Sequence, residues 1–375
     1  RGAVTVAVAR TVSTAAPLPC AGSAHLTLVL AEVADLAATL RDAVADLDAA
    51  VVRELRAEGD AAAVAATLRL DGADPELGRD GERAGTWADA LAPVVGDEDL
   101  DDADVAALAE RERAGAAAGL AADDLAEAFG AASADPNGLG AALAALHGRL
   151  VAGLVAPERV GMLRQGPRVV HDASVGRVLF FPTDPALLPD AWDALLRHLA
   201  GPGVAARGPA LVRAGLLHLE LLRHHPFDAA GGRLARAAAR LALRADGTDV
   251  AGLVAVEPVL AEDPLGYLDG VAASVRRGDA TLWVERWAEA VGEAVRRALD
   301  AVAGAGGTGE SSPTVTSGAP AGALDGCGPA FTLADAAEAL GVDVVAARGA
   351  LSGLVREGAV RRAPGTSGLR FVRRG

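Results

Sequence analysis

The stretch "HPFDAAGGRLAR", residues 225–236, is the most informative part of this sequence. A histidine and a proline precede a run of small residues, and two arginines follow three residues apart. Upstream of this stretch, five residues recur at spacings of three and four, as on one face of a helix: Leu211, Ala214, His218, Leu221 and His225. This spacing predicts a helix that ends at His225, because Pro226 does not allow it to continue. The small residues then predict a tight turn into a second helix that begins near Gly232.

This pattern of residues predicts a base beside an anion site. The first turn of a helix carries free N–H groups that favour an anion. Arg233 and Arg236 lie on the same side of that turn, and His225 is the residue type that most often acts as a general base near neutral pH. The alternative is a structural turn followed by arginines that only form salt bridges. Arg240 and Arg244 continue the same helix face, and this spacing favours the structural interpretation for those two residues.

The composition narrows the class of protein. Of the 375 residues, 51% are hydrophobic but only 3% are aromatic, which favours a helical core of Ala, Leu and Val. The net charge of −15 argues against a chain that coats nucleic acid along its whole length. All 35 basic residues are arginine, which excludes a Walker A loop and a lysine Schiff base. Cys20 and Cys327 lie far apart and suggest neither a disulfide framework nor a zinc site.

Several regions follow one another along the chain. We predict an N-terminal helical region at 1–95 with a break at Gly59-Asp60, a core at 96–303, and a Gly/Pro/Ser-rich linker at 304–328. Within the core, residues 168–185 predict a β-hairpin and 257–276 a helix.

The C-terminal residues 329–375 form a separate predicted unit. Their pattern of two helices followed by two short strands around "PGTSG" predicts a winged helix-turn-helix. This segment carries seven arginines and four acids, which suits contact with DNA, although such units also bind proteins. No apolar run is long enough for a membrane span, so we expect no membrane contact and a cytoplasmic location.

The motif resembles that of the Fic (Fido) family, HPFx[DE]GNGRxxR. Six positions match without a gap: His225, Pro226, Phe227, Gly232, Arg233 and Arg236. The resemblance extends over about residues 60–375, including the hairpin region and the helices on both sides of the motif. It implies a mainly α fold, a Fic-type helical bundle with a β-hairpin flap, and a C-terminal winged helix is also frequent in the family.

The resemblance also implies an activity, the transfer of AMP from ATP to a Ser, Thr or Tyr hydroxyl of a target protein. His225 would deprotonate that hydroxyl. The backbone at Gly231 and Gly232 would hold the α- and β-phosphates, with Arg233 near the β-phosphate and Arg236 at the γ-phosphate. The flap, represented by Val169, Val170, His171 and Phe180, would align the target segment by strand addition.

Three positions depart from the family motif and weaken this expectation. Ala229 replaces the acid that binds Mg²⁺, which argues against a bound Mg²⁺. Ala230 replaces a glycine and Gly231 an asparagine. Asp228 is the candidate replacement metal ligand, although adjacent residues normally point in different directions.

An upstream segment resembles the family's inhibitory motif, [ST]xxxE[GN]. "TLRLDG" matches it from Thr67 to Gly72, with Asp71 in place of glutamate. In the family this acid pairs with the second arginine of the motif, here Arg236, and blocks the γ-phosphate. The alternative is a helix that simply ends at Gly72.

Three interpretations stay open from the sequence. The first is a slow or unusual protein adenylyltransferase, with ATP, another nucleotide or another phosphate donor. The second is a nucleotide-binding pseudoenzyme whose Fic domain senses rather than transfers. The third is a winged-helix DNA-binding regulator acting through residues 329–375. A homodimer is also left open.

Overall fold

The computed structural model describes most of the first 306 residues and parts of the C-terminal segment. The described residues are 16–71, 102–132, 135–172, 177–201, 208–306, 324, 327, 330–331, 333–340, 351, 354, 360–365 and 368–373. The chain divides into two compact units, Arg1–Gly306 and Gly307–Gly375. Residues 72–101, at the predicted junction of the N-terminal region and the core, and most of the linker at 304–328 lie outside the described residues. The finer domain boundaries stay predictions.

The first unit is built mainly from helices, which confirms the predicted mainly α fold class. In chain order these are α1 (Ala24–Ala45), α2 (Ala49–Leu70), α3 (Asp102–Leu120), α4 (Asp123–Ala132), α5 (Pro136–Leu150), α6 (Leu188–Leu199), α7 (Ala210–His224), α8 (Gly231–Ala245), α9 (Glu257–Leu260), α10 (Pro264–Arg277) and α11 (Thr281–Gly306). Two short strands, β1 (Val170–Asp172) and β2 (Arg177–Phe180), form an antiparallel hairpin between α5 and α6.

Helix α7 is the centre of the core. It buries every residue from Leu211 to His224 except Arg213. Gly215 allows the indole of Trp287 on α11 to approach closely, and the Nε1–H of Trp283 donates to the Gly215 carbonyl over 2.9 Å. A helix that is buried on all sides is held in place from every direction. The residue that follows it, His225, is therefore held at a fixed point.

Two predicted helix boundaries were wrong. Helix α2 runs through Gly59 without a break, because a glycine inside a helix costs only about 1 kcal/mol. The break lies earlier, where Asp48 caps α2 by accepting a hydrogen bond from the Ala50 N–H over 2.6 Å. The segment 257–276 is two helices, because Asp263 caps a new helix whose first residue is Pro264.

The C-terminal unit contains a small antiparallel sheet. Strands β3 (Ala330–Phe331), β4 (Val360–Gly365) and β5 (Gly368–Arg373) are arranged in the order β3-β5-β4, and α12 (Leu333–Leu340) lies between β3 and β4 in sequence. Most of the second predicted helix lies outside the described residues. The winged helix-turn-helix and its contact with DNA therefore stay predictions.

Within the described ranges, the helices are all too short or too polar to cross a bilayer.

The contact between Gly215 and Trp287 gives a test of the packing. Gly215→Ala is expected to lower the free energy of unfolding by about 1–3 kcal/mol, because a Cβ there would lie 2.6 Å from Cδ1 of Trp287. The matched control is Gly59→Ala, where an added Cβ meets no atom within 4 Å. The control should raise stability by about 0.5–1 kcal/mol through helix propensity. Urea unfolding measures both changes, and equal stabilisation by the two variants would contradict the packing described here.

Candidate active site

The turn at His225 starts the candidate site. Helix α7 ends at His224, and His225 adopts left-handed backbone angles (φ 42°, ψ 66°) while its N–H donates to Leu221 O over 2.9 Å. Arg164, only 2% exposed, donates to the carbonyl of His225 over 2.7 Å and to that of His224 over 3.1 Å. The Arg164 N–H also donates to the Pro226 carbonyl over 2.9 Å. Sequence reasoning did not single out Arg164, yet this side chain holds the turn in place.

The His225 ring is half-buried and packs against the start of α8. A Cβ at position 231 would lie 2.5 Å from the ring Nδ1, so Gly231 gives the ring its space. Burial, followed by the positive charges of Arg164 and Arg168, lowers the pKa of His225 to about 4. The ring is therefore neutral at pH 7, which is the state that accepts a proton.

The anion site is predicted at the start of helix α8. The helix begins at Gly231, one residue before the predicted start. Ala230 precedes it with φ 54° and ψ 28°, a left-handed conformation that suits glycine. The side chain of Ala230 makes no capping hydrogen bond, so the first N–H groups of α8 are left for another acceptor.

Arg236 and the end of α2 form the contact predicted for the inhibitory motif. The Arg236 guanidinium donates to Thr67 Oγ1 over 2.6 Å and to the Thr67 carbonyl over 3.0 Å, and it pairs with the Asp71 carboxylate. Although burial opposes the charge, the Asp71 carboxylate raises the pKa of Arg236 above its ordinary value. The Arg236 guanidinium is thus bound by Thr67 and Asp71 at the end of α2, and it also donates to the Tyr267 hydroxyl over 3.4 Å. Gly72 lies outside the described residues.

Arg233 is held by two carboxylates. Its Nε lies 3.2 Å from an Asp71 oxygen, and its Nη2 donates to Glu112 Oε1 over 3.0 Å. Burial raises the pKa of Glu112, while Arg233 opposes that shift. Glu112 comes from α3, in the middle of a run of charged residues, and sequence reasoning did not identify it.

Gly232 makes room for the Asp71 carboxylate at the start of α8. A Cβ on Gly232 would overlap that carboxylate and lie 3.1 Å from Arg236 Nη1. Asp71 therefore occupies the space where the helix N-terminus and the two motif arginines converge. An intramolecular carboxylate fills the anion site in this structure.

Asp228, the candidate metal ligand, has an arginine partner. Its carboxylate accepts from Arg159 Nε over 2.9 Å, and Arg168 donates to its main-chain carbonyl. Across the described part of the chain, no group of three or more His, Cys, Asp or Glu side chains is placed to hold a metal ion. Mg²⁺ needs near-octahedral oxygen ligands, and one arginine-bound carboxylate beside Ala229 does not fit that requirement.

The flap residues have different environments. In the hairpin, Val170 pairs with Phe180 and His171 with Val178. Val169 precedes β1 and is 46% exposed, whereas the Phe180 side chain is buried in the core. The exposed apolar side chains on this edge are Val178 and Phe181, beside Val169.

Arg240 and Arg244 do not belong to the anion site. Arg240 is 1% exposed and donates to Asp60 over 2.6 Å, and Arg244 donates to Asp249 over 3.0 Å. Each of these two arginines forms salt bridges with aspartates, as their spacing favours, but their side chains are buried rather than solvated. These contacts fix α2 and the loop after α8 against the site.

Comparisons with known proteins identify the class of this fold and site. Residues 141–243, which include the motif, match the model of the Fic/DOC family. The chain therefore contains a domain of the Fic/DOC family at residues 141–243. None of the curated proteins matches the sequence.

Solved structures of Fic proteins resemble the chain as well. A Fic family protein from Desulfovibrio desulfuricans G20 is similar over 96% of this chain and 98% of its own, with 20% identity and a TM-score of 0.56. This similarity shows that the two share a fold. Residues 134–508 of Fic-1 from C. elegans cover 73% of this chain and 71% of their own, with 18% identity and a TM-score of 0.48. A Fic domain-containing signaling protein from Bacteroides thetaiotaomicron covers 75% and 97%, with 16% identity and a TM-score of 0.46.

The strained backbone at Ala230 gives the first prediction for the site. Ala230→Gly is expected to raise the free energy of unfolding by about 1 kcal/mol, because the left-handed conformation disfavours a side chain. Ala229→Gly is the matched control. Since φ of Ala229 is not positive, this change should lower stability by about 0.5–1 kcal/mol. Equal shifts for the two variants in chemical unfolding would contradict the assigned conformation.

The ionisation of His225 gives the second prediction for the site. Its native pKa of about 4 lies below the ordinary 6.5, so between these values the unfolded chain binds the proton more readily. The contribution of His225 to stability is therefore present above pH 6.5 and is lost as the pH falls towards 4. NMR titration of the ring C–H signals should give a low pKa that Arg168→Ala raises. The exposed Arg197→Ala on α6 should leave it unchanged, and an ordinary pKa in the wild type would contradict the site.

Proposed function

We propose that the protein transfers AMP from ATP to a hydroxyl side chain of a target protein. The observation that carries this proposal is the neutral His225 ring packed against Gly231 at the start of α8, the helix that also carries Arg233 and Arg236. A base, a helix N-terminus without a side-chain cap and two guanidinium groups suit the transfer of a phosphate-containing group.

Each part of the site has a role in the proposed reaction. The substrate hydroxyl oxygen attacks the α-phosphorus and gives its proton to His225. The bond from the α-phosphorus to the bridging oxygen breaks, and pyrophosphate leaves. The α8 N-terminus holds the α- and β-phosphates through Gly231 and Gly232, while Arg233 and Arg236 bind the leaving phosphates. The exposed flap edge aligns the target segment by strand addition.

Asp71 is proposed to restrain this reaction. It contacts Arg233 and Arg236, the two side chains that would hold the β- and γ-phosphates. ATP must displace this carboxylate before both arginines can bind phosphate. The resting protein is thus expected to be slow, and removal of Asp71 should release it.

A pseudoenzyme is the alternative, and Ala229 is the observation that favours it. Without the acid at this position the protein would bind a nucleotide through α8 and the arginines but would transfer nothing. Its response to the nucleotide would then be the displacement of Asp71.

Labelling with two forms of ATP separates these functions. With Asp71→Ala and ATP labelled at the α-phosphate, we expect self-modification or target labelling at least about tenfold above wild type, because both arginines lose the carboxylate that competes with phosphate. His225→Ala in the same background should abolish the label. ATP labelled at the γ-phosphate should leave none on the protein.

Other results would contradict AMP transfer. Bound nucleotide without transferred label in Asp71→Ala would favour the pseudoenzyme, and label from the γ-phosphate would indicate phosphate transfer instead.

A further inference from the structure

We infer that Arg159 and Arg168 bind the phosphates of the nucleotide in the place where the family's metal ion would lie. This inference rests on the proposed function, because it assumes that a nucleotide binds at the motif loop. It assigns a site that takes the nucleotide without a divalent cation.

The oxygen ligands expected of a metal site are not assembled at the loop. Ala229 offers only a methyl group where the family motif has an acid. The neighbouring Asp228 carboxylate is 17% exposed and already neutralised by Arg159. A Mg²⁺ ion would have to displace this guanidinium and still find its other oxygen ligands elsewhere.

Two guanidinium groups contact Asp228, the residue next to Ala229. Arg159 belongs to the short 3-10 helix Pro157–Arg159, and its side chain is 44% exposed, so it can turn towards a ligand. Arg168 precedes β1 and reaches the main-chain carbonyl of Asp228. Arg164, by contrast, is buried, and its guanidinium donates its hydrogen bonds to main-chain carbonyls.

The charge balance of the loop supports this assignment. Apart from Arg164, whose guanidinium is bound to main-chain carbonyls, four arginines (159, 168, 233 and 236) lie beside three carboxylates (Asp71, Glu112 and Asp228), a net charge of +1. When Asp71 withdraws, the net charge becomes +2, the sign and size that a diphosphate segment requires. Guanidinium groups bind phosphate oxygens in pairs and need no metal to do so.

Calorimetric titration of ATP into the Asp71→Ala variant of the 375-residue chain tests the inference. We expect the Kd in EDTA to agree within about threefold with the Kd in Mg²⁺, since charged hydrogen bonds from arginine supply the affinity. In EDTA, Arg159→Gln and Arg168→Gln should each weaken binding about tenfold or more. Arg197→Gln, an exposed arginine on α6, is the matched control and should change nothing. Thermal unfolding of each variant checks that it folds.

Asp228→Asn separates phosphate binding from a purely structural role for Arg159. If Arg159 only supports the loop through Asp228, Asp228→Asn should weaken ATP binding as Arg159→Gln does, and this result would overturn the inference. If Arg159 binds phosphate, loss of its resting partner should leave ATP binding equal or tighter. Ala229→Glu should in turn make ATP binding dependent on Mg²⁺.

The outcomes distinguish this inference from the proposed function. ATP binding that requires Mg²⁺, and that Asp228→Asn removes, would overturn the inference and leave a nucleotide-binding site in place. If ATP fails to bind Asp71→Ala with or without Mg²⁺, the proposed function fails, and the inference falls with it.

Discussion

The clamp of the buried Arg164 guanidinium on the turn after α7 is the contact on which the site depends. A non-glycine residue in the left-handed region is destabilised by about 1 kcal/mol or more. At His225 the hydrogen bonds from Arg164 to the carbonyls of His225 and His224 offset this strain. This turn points the chain into the motif loop and brings the His225 ring onto Gly231. Without it, the base and the start of α8 would have no fixed relation.

Buried charge links the N-terminal helices to this centre. Three of the arginines on α8, Arg233, Arg236 and Arg240, are almost fully buried, and an unpaired charge in such a place is very unfavourable. Their partners come from α2 and α3, which supply Asp60, Asp71 and Glu112. The same ion pairs therefore hold the helices together and fill the anion site, so that fold and restraint share their interactions.

The motif and its neighbours could be predicted because their signals are local. A stretch of about twenty residues contains the end of α7 before Pro226, the turn of small residues and the spacing of Arg233 and Arg236. The resemblance to the Fic family added Asp71. Arg164 and Glu112 could not be found in this way, because each acts through contacts with residues at least 60 positions away. The uninterrupted α2 was missed because packing against other helices outweighs the weak helix preference of Gly59.

The position of Asp71 at the very end of α2 has a consequence for timing. Asp71 is the C-cap residue, whereas Asp60, eleven residues earlier, anchors the same helix to Arg240. The carboxylate can therefore leave the two motif arginines when only the final turn frays, while the rest of α2 stays docked. Fraying of one helical turn takes place in less than about a microsecond. Asp71 would thus leave and return to the two arginines many times during a single encounter with a ligand. Occupancy of the site would then be decided by competition between two anions rather than by a slow rearrangement of helices.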